Sequence, residues 1–313
     1  MIVALAGGVG GARLARGLAK IAGAGLSVVV NTGDDFDHLG LRICPDLDTV
    51  TYTLAGIANP QTGWGVAGET WNFMAQNAAL GEPGWFRLGD RDLATHVLRT
   101  RMLREGRTLT EVTRHLAGRL GIAAAILPMT DALVRTRVET AGGVLDFQDY
   151  FVRRQCNVAI TGLRFDGAAE AEATREAASA LDRAQAIVFC PSNPYVSIDP
   201  ILAVGGIRSR LERRAAPRIA VSPIIGGKAV KGPAAKMMAE LGYAVSSLTV
   251  AKKYAGLIDA MVIDREDAHL AQEIEALGIR VLTTRTLMRT FEDSRVLAEE
   301  TLRFAQASSL RQG

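Results

Sequence analysis

The chain has 313 residues, 48% of them hydrophobic, with 36 Lys plus Arg against 33 Asp plus Glu. That is enough apolar material for one large core or two modest ones, and the charge balance is too even for a nucleic-acid-binding face. No run of about 18 uncharged apolar residues occurs, and Met1 leads straight into "IVALAGG" without a basic leader, so a cytoplasmic protein with no membrane span is expected. Cys44, Cys156 and Cys190 lie far apart without metal-type spacing and are expected to be reduced thiols without chemistry.

From the N-terminus, "IVALAG", "GARLARGLAKIAG" and "LSVVVNTG" read as strand, helix and strand, the opening of a βαβ unit. Residues 60–120 read as a mainly helical insertion, through "WNFMAQNAAL", "DLATHVLRTRMLREG" and "LTEVTRHLAGRLG". Residues 132–165 read as a hairpin excursion, with "LVRTRVET" and "VLDFQDYFV" on either side of a turn at Gly142 and Gly143. The strand and helix alternation then resumes: "AEATREAASALDRA" precedes "AIVFCPSNP", "PILAVGGIRSRLERR" precedes "RIAVSPIIGG", and "AKMMAELG" leads to "DAMVID" and "RVLTT". Parallel strands need helical crossovers on both faces, so the expectation is an α/β, Rossmann-like, doubly wound and mainly parallel sheet in a single domain, 1–313.

The chemistry-bearing residues gather just past the strands. "AGGVGGARL" turns from the first strand into the first helix, where backbone N–H groups can approach a phosphate. As a dinucleotide fingerprint it is broken, because Arg13 stands where the third glycine belongs and the second strand ends in Asn31 instead of an acidic residue. Five aspartates (Asp34, Asp35, Asp37, Asp46 and Asp48) then crowd fifteen positions. Carboxylates beside a phosphate site imply a bridging cation, magnesium above all; Asp48, with Thr49, can also cap the helix in "VTYTLAGI", and the two roles can coexist. Trp64 and Trp71 are either core residues or walls for a planar ligand. In "LGDRDLATHVLRTRM", Asp92, Thr95, His96 and Arg99 share one helix face, a stripe whose ordinary reading is a solvated polar surface. "CPSNPYVSIDP" and "SPIIGGKAVKGP" end two further strands with Ser192, Asn193, Gly226, Gly227, Lys228 and Lys231. In an open α/β sheet such loops converge on one crevice.

"GGVGGARL", "VVVNTGDD", "ICPDLDTV", "WGVAGETWN", "LGDRDLATH", "PSNPYVSI" and "SPIIGGKAVKGPAAKMM", in this order and nearly end to end, resemble the 2-phospho-L-lactate transferase family, which assembles the deazaflavin coenzyme called factor 420. The resemblance implies a magnesium-dependent transfer of phosphoenolpyruvate, 2-phospholactate or 3-phosphoglycerate. The acid is carried as its guanosine diphosphate adduct, the acceptor is the ribityl hydroxyl of the deazaflavin Fo, and GMP is released. It implies Gly8, Gly10, Gly11, Asn31, Ser192, Asn193, Gly226 and Lys228 on the nucleotide side. On the Fo side it implies Asp48, Arg91, Thr95, His96 and Trp64, with Asp48 and Arg91 catalytic and Asp35 and Asp48 holding the metal. Bacterial regulators of the same fold bind nucleotide-sugars without known chemistry and form the alternative; "GDRDLATH" argues against them. The glycine turn and "GDD" look like the bacterial branch, which favours phosphoenolpyruvate as the donor acid. The amphipathic helices of the insertion and "WFRLG" offer apolar surface beyond one core, so a homodimer is expected.

Overall fold

The computed structural model describes residues 1–213 and 215–309, so residues 310–313 of the expected 1–313 unit lie outside the described residues. β1 (Ile2–Ala6), α1 (Gly8–Ala22) and β2 (Leu26–Val30) form the opening unit, and every residue of β2 is buried. A short hairpin, β3 (Phe36–His38) and β4 (Leu41–Ile43), carries the aspartate segment into α2 (Pro45–Ala55). α3 (Asn72–Ala79), α4 (Asp90–Arg104) and α5 (Leu109–Arg119) follow, and the chain returns to the sheet at β5 (Ala125–Pro128). A separate antiparallel sheet is made by β6 (Arg135–Thr140), β7 (Gly143–Asp146) and β8 (Ile160–Asp166). Next come α6 (Arg175–Asp182), β9 (Ala186–Phe189), α7 (Asp199–Ala203), α8 (Ile207–Arg213) and β10 (Arg218–Val221). The ribbon β11 (Ile224–Ile225) and β12 (Lys228–Ala229) precedes α9 (Ala234–Glu240) and α10 (Ser247–Tyr254). β13 (Ala260–Asp264), α11 (Ala271–Glu275), β14 (Arg280–Thr284) and α12 (Phe291–Ser309) complete the chain.

The central sheet has seven strands in the order β14-β13-β10-β9-β1-β2-β5, and every pairing is parallel. Alternation along each strand feeds two cores: Val3, Leu5 and Val29 face one, Ala4, Ala6, Val28 and Val30 the other. The sheet is therefore covered on both sides, as continuous apolar strands require. α1 lies between α2 and α12, and Gly17 permits the closest approach, since a Cβ there would collide with the Ser294 carbonyl. Strand order reverses between β1 and β9, which share Ile2↔Ala186 and Leu5↔Phe189 in register. The crevice beyond the carboxyl ends of these two strands is where an open α/β sheet binds its ligand.

Three expectations are corrected. "VLDFQDYFV" is a strand only over Gly143–Asp146; Asp149–Arg153 winds into a π-helix, and the hairpin gains a third strand, β8. "PILAVGGIRSRLERR" is two helices, because the chain leaves helical geometry at Val204 and Gly206 has φ 80°. α2 begins at Pro45, four residues earlier than a cap at Asp48 requires, so the Asp48 side chain stands inside its first turn and caps nothing. The antiparallel sheet buttresses the aspartate segment: Thr136 N–H donates to the Gly33 carbonyl at 2.7 Å, Gln148 Nε2 to the Asp34 carbonyl at 3.3 Å, and the Arg135 guanidinium to the Asp35 carbonyl. Among the described residues no helix is long and apolar enough to cross a membrane.

Candidate active site

A cavity of about 680 Å³ opens at the reversal point, within the range usual for small-molecule sites. Its floor is the glycine turn. Gly7 is the N-cap of α1 without a side-chain cap, Gly8 has φ 61°, and Gly7, Gly8, Val9 and Gly10 line the crevice, where the first-turn N–H groups of a helix lack intrahelical acceptors. The turn lies flat against its neighbours: a Cβ at Gly10 would collide with the Pro191 carbonyl and one at Gly11 with Ser192 Oγ. Ser192 Oγ accepts from Gly7 N–H at 3.1 Å and donates to the Gly7 carbonyl at 2.8 Å. Its hydroxyl therefore ties two loops together. Asn193 Oδ1 accepts from Tyr195 N–H at 3.0 Å, capping the next helical turn, while the residue itself lines the cavity.

Four of the five aspartates converge beside this floor; the fifth, Asp37, is exposed and pairs with Arg42 at 2.9 Å. Asp34, Asp35, Asp46 and Asp48 are each buried, and Asp34, Asp46 and Asp48 line the cavity. Asp46 accepts from Gly8 N–H at 2.7 Å and from Asn31 Nδ2 at 2.9 Å, which joins the carboxylates to the turn and explains why β2 ends in Asn31. Asp34 Oδ1 and Asp35 Oδ1 are buried without a hydrogen-bond partner. Burial, followed by the Asp46 charge, pushes the Asp34 carboxyl well above the usual range. Burial likewise pushes Asp35 up to about 7, and Asp46 up to about 6 despite its two donors. The Arg99 and Arg42 charges only partly offset this at Asp35, and a divalent cation would reverse each shift.

Behind Asp48 lies Arg99, 2% exposed and the only Lys or Arg among the described residues buried to this degree. Its guanidinium grips Asp48 with both Nη atoms, Nη1 reaching Oδ2 at 3.1 Å. Burial opposes the arginine's charge, but Asp48 more than offsets it and holds Arg99 above its ordinary value. Arg99 Nη1 also meets His96 Nδ1 at 3.2 Å. A guanidinium can only donate, so Nδ1 accepts and the imidazole proton sits on Nε2, 3.2 Å from Asp92 Oδ1. Asp92 Oδ1 accepts in addition from the Tyr52 hydroxyl at 2.6 Å. Burial disfavours the Asp92 anion, yet these partners hold its carboxyl below the usual range. Asp48, Asp92 and His96 bring ligand atoms within 4.8 Å of one another. Arg99 and Tyr52 engage two members of this second group, but His96 Nε2 is, like Asp34 Oδ1 and Asp35 Oδ1, buried without a hydrogen-bond partner, so Asp48 stands between two candidate seats for a cation.

The polar stripe of α4 is thus an inner wall. Val97, on its other side, is 50% exposed. The remaining wall is aromatic, with Trp64, Trp85, Phe86, Phe147 and Phe151. Trp71 stands outside under the Arg87 guanidinium, 4.1 Å from its ring centroid.

Of the residues singled out in the sequence, Gly8, Gly10, Asp48, Trp64, His96, Ser192 and Asn193 line the cavity. Gly11 and Asn31 support that lining from behind. Arg91 does not reach it: the residue is exposed, and its guanidinium donates to the Ala67 carbonyl at 2.8 Å. Thr95, Gly226 and Lys228 are outside the lining as well, and Asp35 lies behind it. Sequence reasoning missed Tyr52, Trp85, Phe86, Phe147 and Phe151. Tyr52 was legible only as an apolar position in α2, three to four residues from Asp48 and Thr49.

A family model described as 2-phospho-L-lactate transferase CofD matches residues 2–287. The chain is 42% identical over 312 residues to a protein of Streptomyces griseus named phosphoenolpyruvate transferase, covering 97% of this chain and 98% of that one. It is 40% identical over 308 residues to a Mycobacterium tuberculosis protein of the same name, covering 92% and 93%. A crystal structure of a Bacillus halodurans protein of the upf0052 family superposes with a TM-score of 0.63 at 15% identity, covering 96% of this chain and 98% of that one, a likeness of fold. A match of that extent, with identity of this order along almost the whole length, means that the chain belongs to the 2-phospho-L-lactate transferase CofD family.

Proposed function

We propose that this cavity transfers a phosphorylated three-carbon acid from its guanosine diphosphate adduct to the ribityl hydroxyl of Fo, releasing GMP. The observation that carries the reading is that one cavity joins a helix N-terminus suited to phosphate, a group of buried carboxylates suited to a cation, and aromatic walls suited to a planar acceptor. The acceptor oxygen bonds to the phosphorus of the acid's phosphate and gives up its proton to the Asp48 carboxylate or to water, as the P–O bond to the nucleotide breaks and the electron pair departs on the phosphate oxygen of GMP. Transition states of this type are loose, so positioning and charge matter more than a strong base. Asp48, fixed by Arg99, orients the hydroxyl, and His96 and Asp92 hold the wall behind it. The same carboxylates, Asp35 and Asp48 with Asp34 and Asp46 beside them, would hold magnesium. When bound, the ion neutralises charge on the transferring phosphate.

The names of the relatives at 42% and 40% identity support phosphoenolpyruvate as the acid, whereas the neighbour of known structure at 15% identity speaks only to fold. Fo added to the purified protein is expected to change its absorbance or fluorescence on binding, which a nucleotide-sugar regulator would not produce. With a guanylyltransferase, GTP and each acid in turn, the phosphoenolpyruvate product should dominate at equal donor concentration. A dominant phospholactate product would overturn the donor assignment. A homodimer is proposed too, since Leu80 and Trp71 near α3 are 73% and 37% exposed; sedimentation at micromolar concentration checks it.

A further inference from the structure

Two cations line the cavity on the flank opposite the carboxylates. Arg13, in the second turn of α1, donates from Nη1 to the Met288 carbonyl, beyond β14 at the far edge of the sheet from β5. Lys231, between β12 and α9, donates from Nζ to the Thr62 carbonyl at 2.8 Å. Lys231 Nζ also lies 3.4 Å from where a Cβ of Gly63 would be, and that same Cβ would stand 2.6 Å from Val9 of the glycine turn. The lysine is thus held over the first turn of α1. Among the described residues neither cation has a carboxylate partner, although the chain forms many Arg–carboxylate pairs elsewhere. Partial burial, and then the Arg13 charge, lower the Lys231 ammonium below its ordinary value. Two neighbouring cations left without an anion at the lip of a phosphate-sized turn are placed for a ligand that brings its own negative charge.

We propose that Arg13 and Lys231 form a clamp on the nucleotide phosphate of a bound nucleoside diphosphate, the phosphate that leaves. This rests on the transfer reading given above. The carboxylates and their cation take the acid's phosphate on the β2 side of the turn, and the clamp takes the nucleotide's phosphate on the side reached by Lys231. As the P–O bond breaks, the electron pair moves onto the oxygen that Arg13 and Lys231 face, so the clamp stabilises charge that grows along the reaction. It has a second effect: binding the phosphate draws Lys231 away from Thr62 or shares it, which couples the loop carrying Trp64 to the donor.

The test is calorimetric binding of GDP and of inorganic pyrophosphate to the full chain, alongside a melting curve for each variant. Lys231→Met changes an exposed side chain and should leave melting unaltered while weakening both ligands by about 10-fold or more, the scale of one charged hydrogen bond. Lys231→Arg should restore most of the affinity. Arg13→Lys, which keeps the charge but loses the fork, should weaken GDP while leaving Fo binding unchanged. Wild-type affinity for both ligands in Lys231→Met and in Arg13→Lys would overturn the clamp. Absence of transfer by a wild-type protein whose GDP binding still depends on Lys231 would overturn the transferase reading and leave the clamp standing.

Discussion

Asp48→Asn is expected to cut transfer by at least about 100-fold, the scale of losing one well-placed charge-stabilising group. The same change should lower stability by about 3–5 kcal/mol, because it removes one partner of a buried ion pair and leaves the Arg99 guanidinium uncompensated. A capping aspartate would behave differently, since Asn caps a helix about as well as Asp. The structure removes that possibility: Asp48 is the fourth residue of α2, its own N–H donates to the Cys44 carbonyl at 2.9 Å, and its side chain caps nothing. Stability and chemistry separate in a double variant. Arg99→Met in the Asp48→Asn background replaces the orphaned charge with an apolar side chain of similar length and should recover most of the lost stability, as buried ion pairs tolerate apolar replacement. It should recover none of the activity. Urea unfolding read beside GMP release tests both halves. Near-normal turnover in a folded Asp48→Asn protein would move the role to Asp34, Asp35 or Asp46.

Without magnesium, stability is expected to fall as pH rises from about 4 to about 7. The unfolded chain releases the protons of Asp35 and Asp46 near the ordinary carboxylate range, whereas the folded protein retains them up to about 7 and about 6. Over that window the folded state binds more protons, so each added pH unit removes up to about 1.4 kcal/mol per carboxyl. The stabilising contribution is complete below the unfolded value and lost as pH passes through the folded one. Magnesium binds the ionised group, so it should raise the melting temperature more at pH 8 than at pH 5. Asp35→Asn should flatten the pH dependence and shrink the magnesium effect, while Asp37→Asn, exposed and outside the cavity, should do neither. An equal magnesium shift at both pH values would contradict the assignment.

The sheet was legible because parallel strands advertise themselves: "LSVVV" and "AMVID" are four-fifths apolar, with Ser27 and Asp264 the exceptions, and both are buried along their whole length. The glycine turn was legible because a strand, a tight turn and a helix follow one another without a gap. The α4 wall was not. Asp92, His96 and Arg99 form a stripe that normally faces water, and nothing in the spacing tells a helix that lines a polar cavity from one that lines the surface; the exposed Val97 is the sign that the helix is turned inward. Arg91 is the reverse case. It sits in the most distinctive motif of the chain, yet at the first turn of α4 its side chain leaves sideways toward Ala67. Ser192 reads as a phosphate ligand; it lines the cavity, and its hydroxyl also joins the strand-end loops. Contacts of that kind depend on the distance between β1 and β9, which are neighbours in space and 184 residues apart at Ile2 and Ala186, and local pattern carries no trace of it.

The most direct test of the account is the mass of the deazaflavin after the purified protein meets Fo, magnesium and the guanosine diphosphate adduct of phosphoenolpyruvate. The expected product is Fo heavier by one phosphoenolpyruvyl group, formed in equal amount with GMP and absent without magnesium. Unchanged Fo beside a protein that binds both Fo and the adduct would contradict the transfer reading.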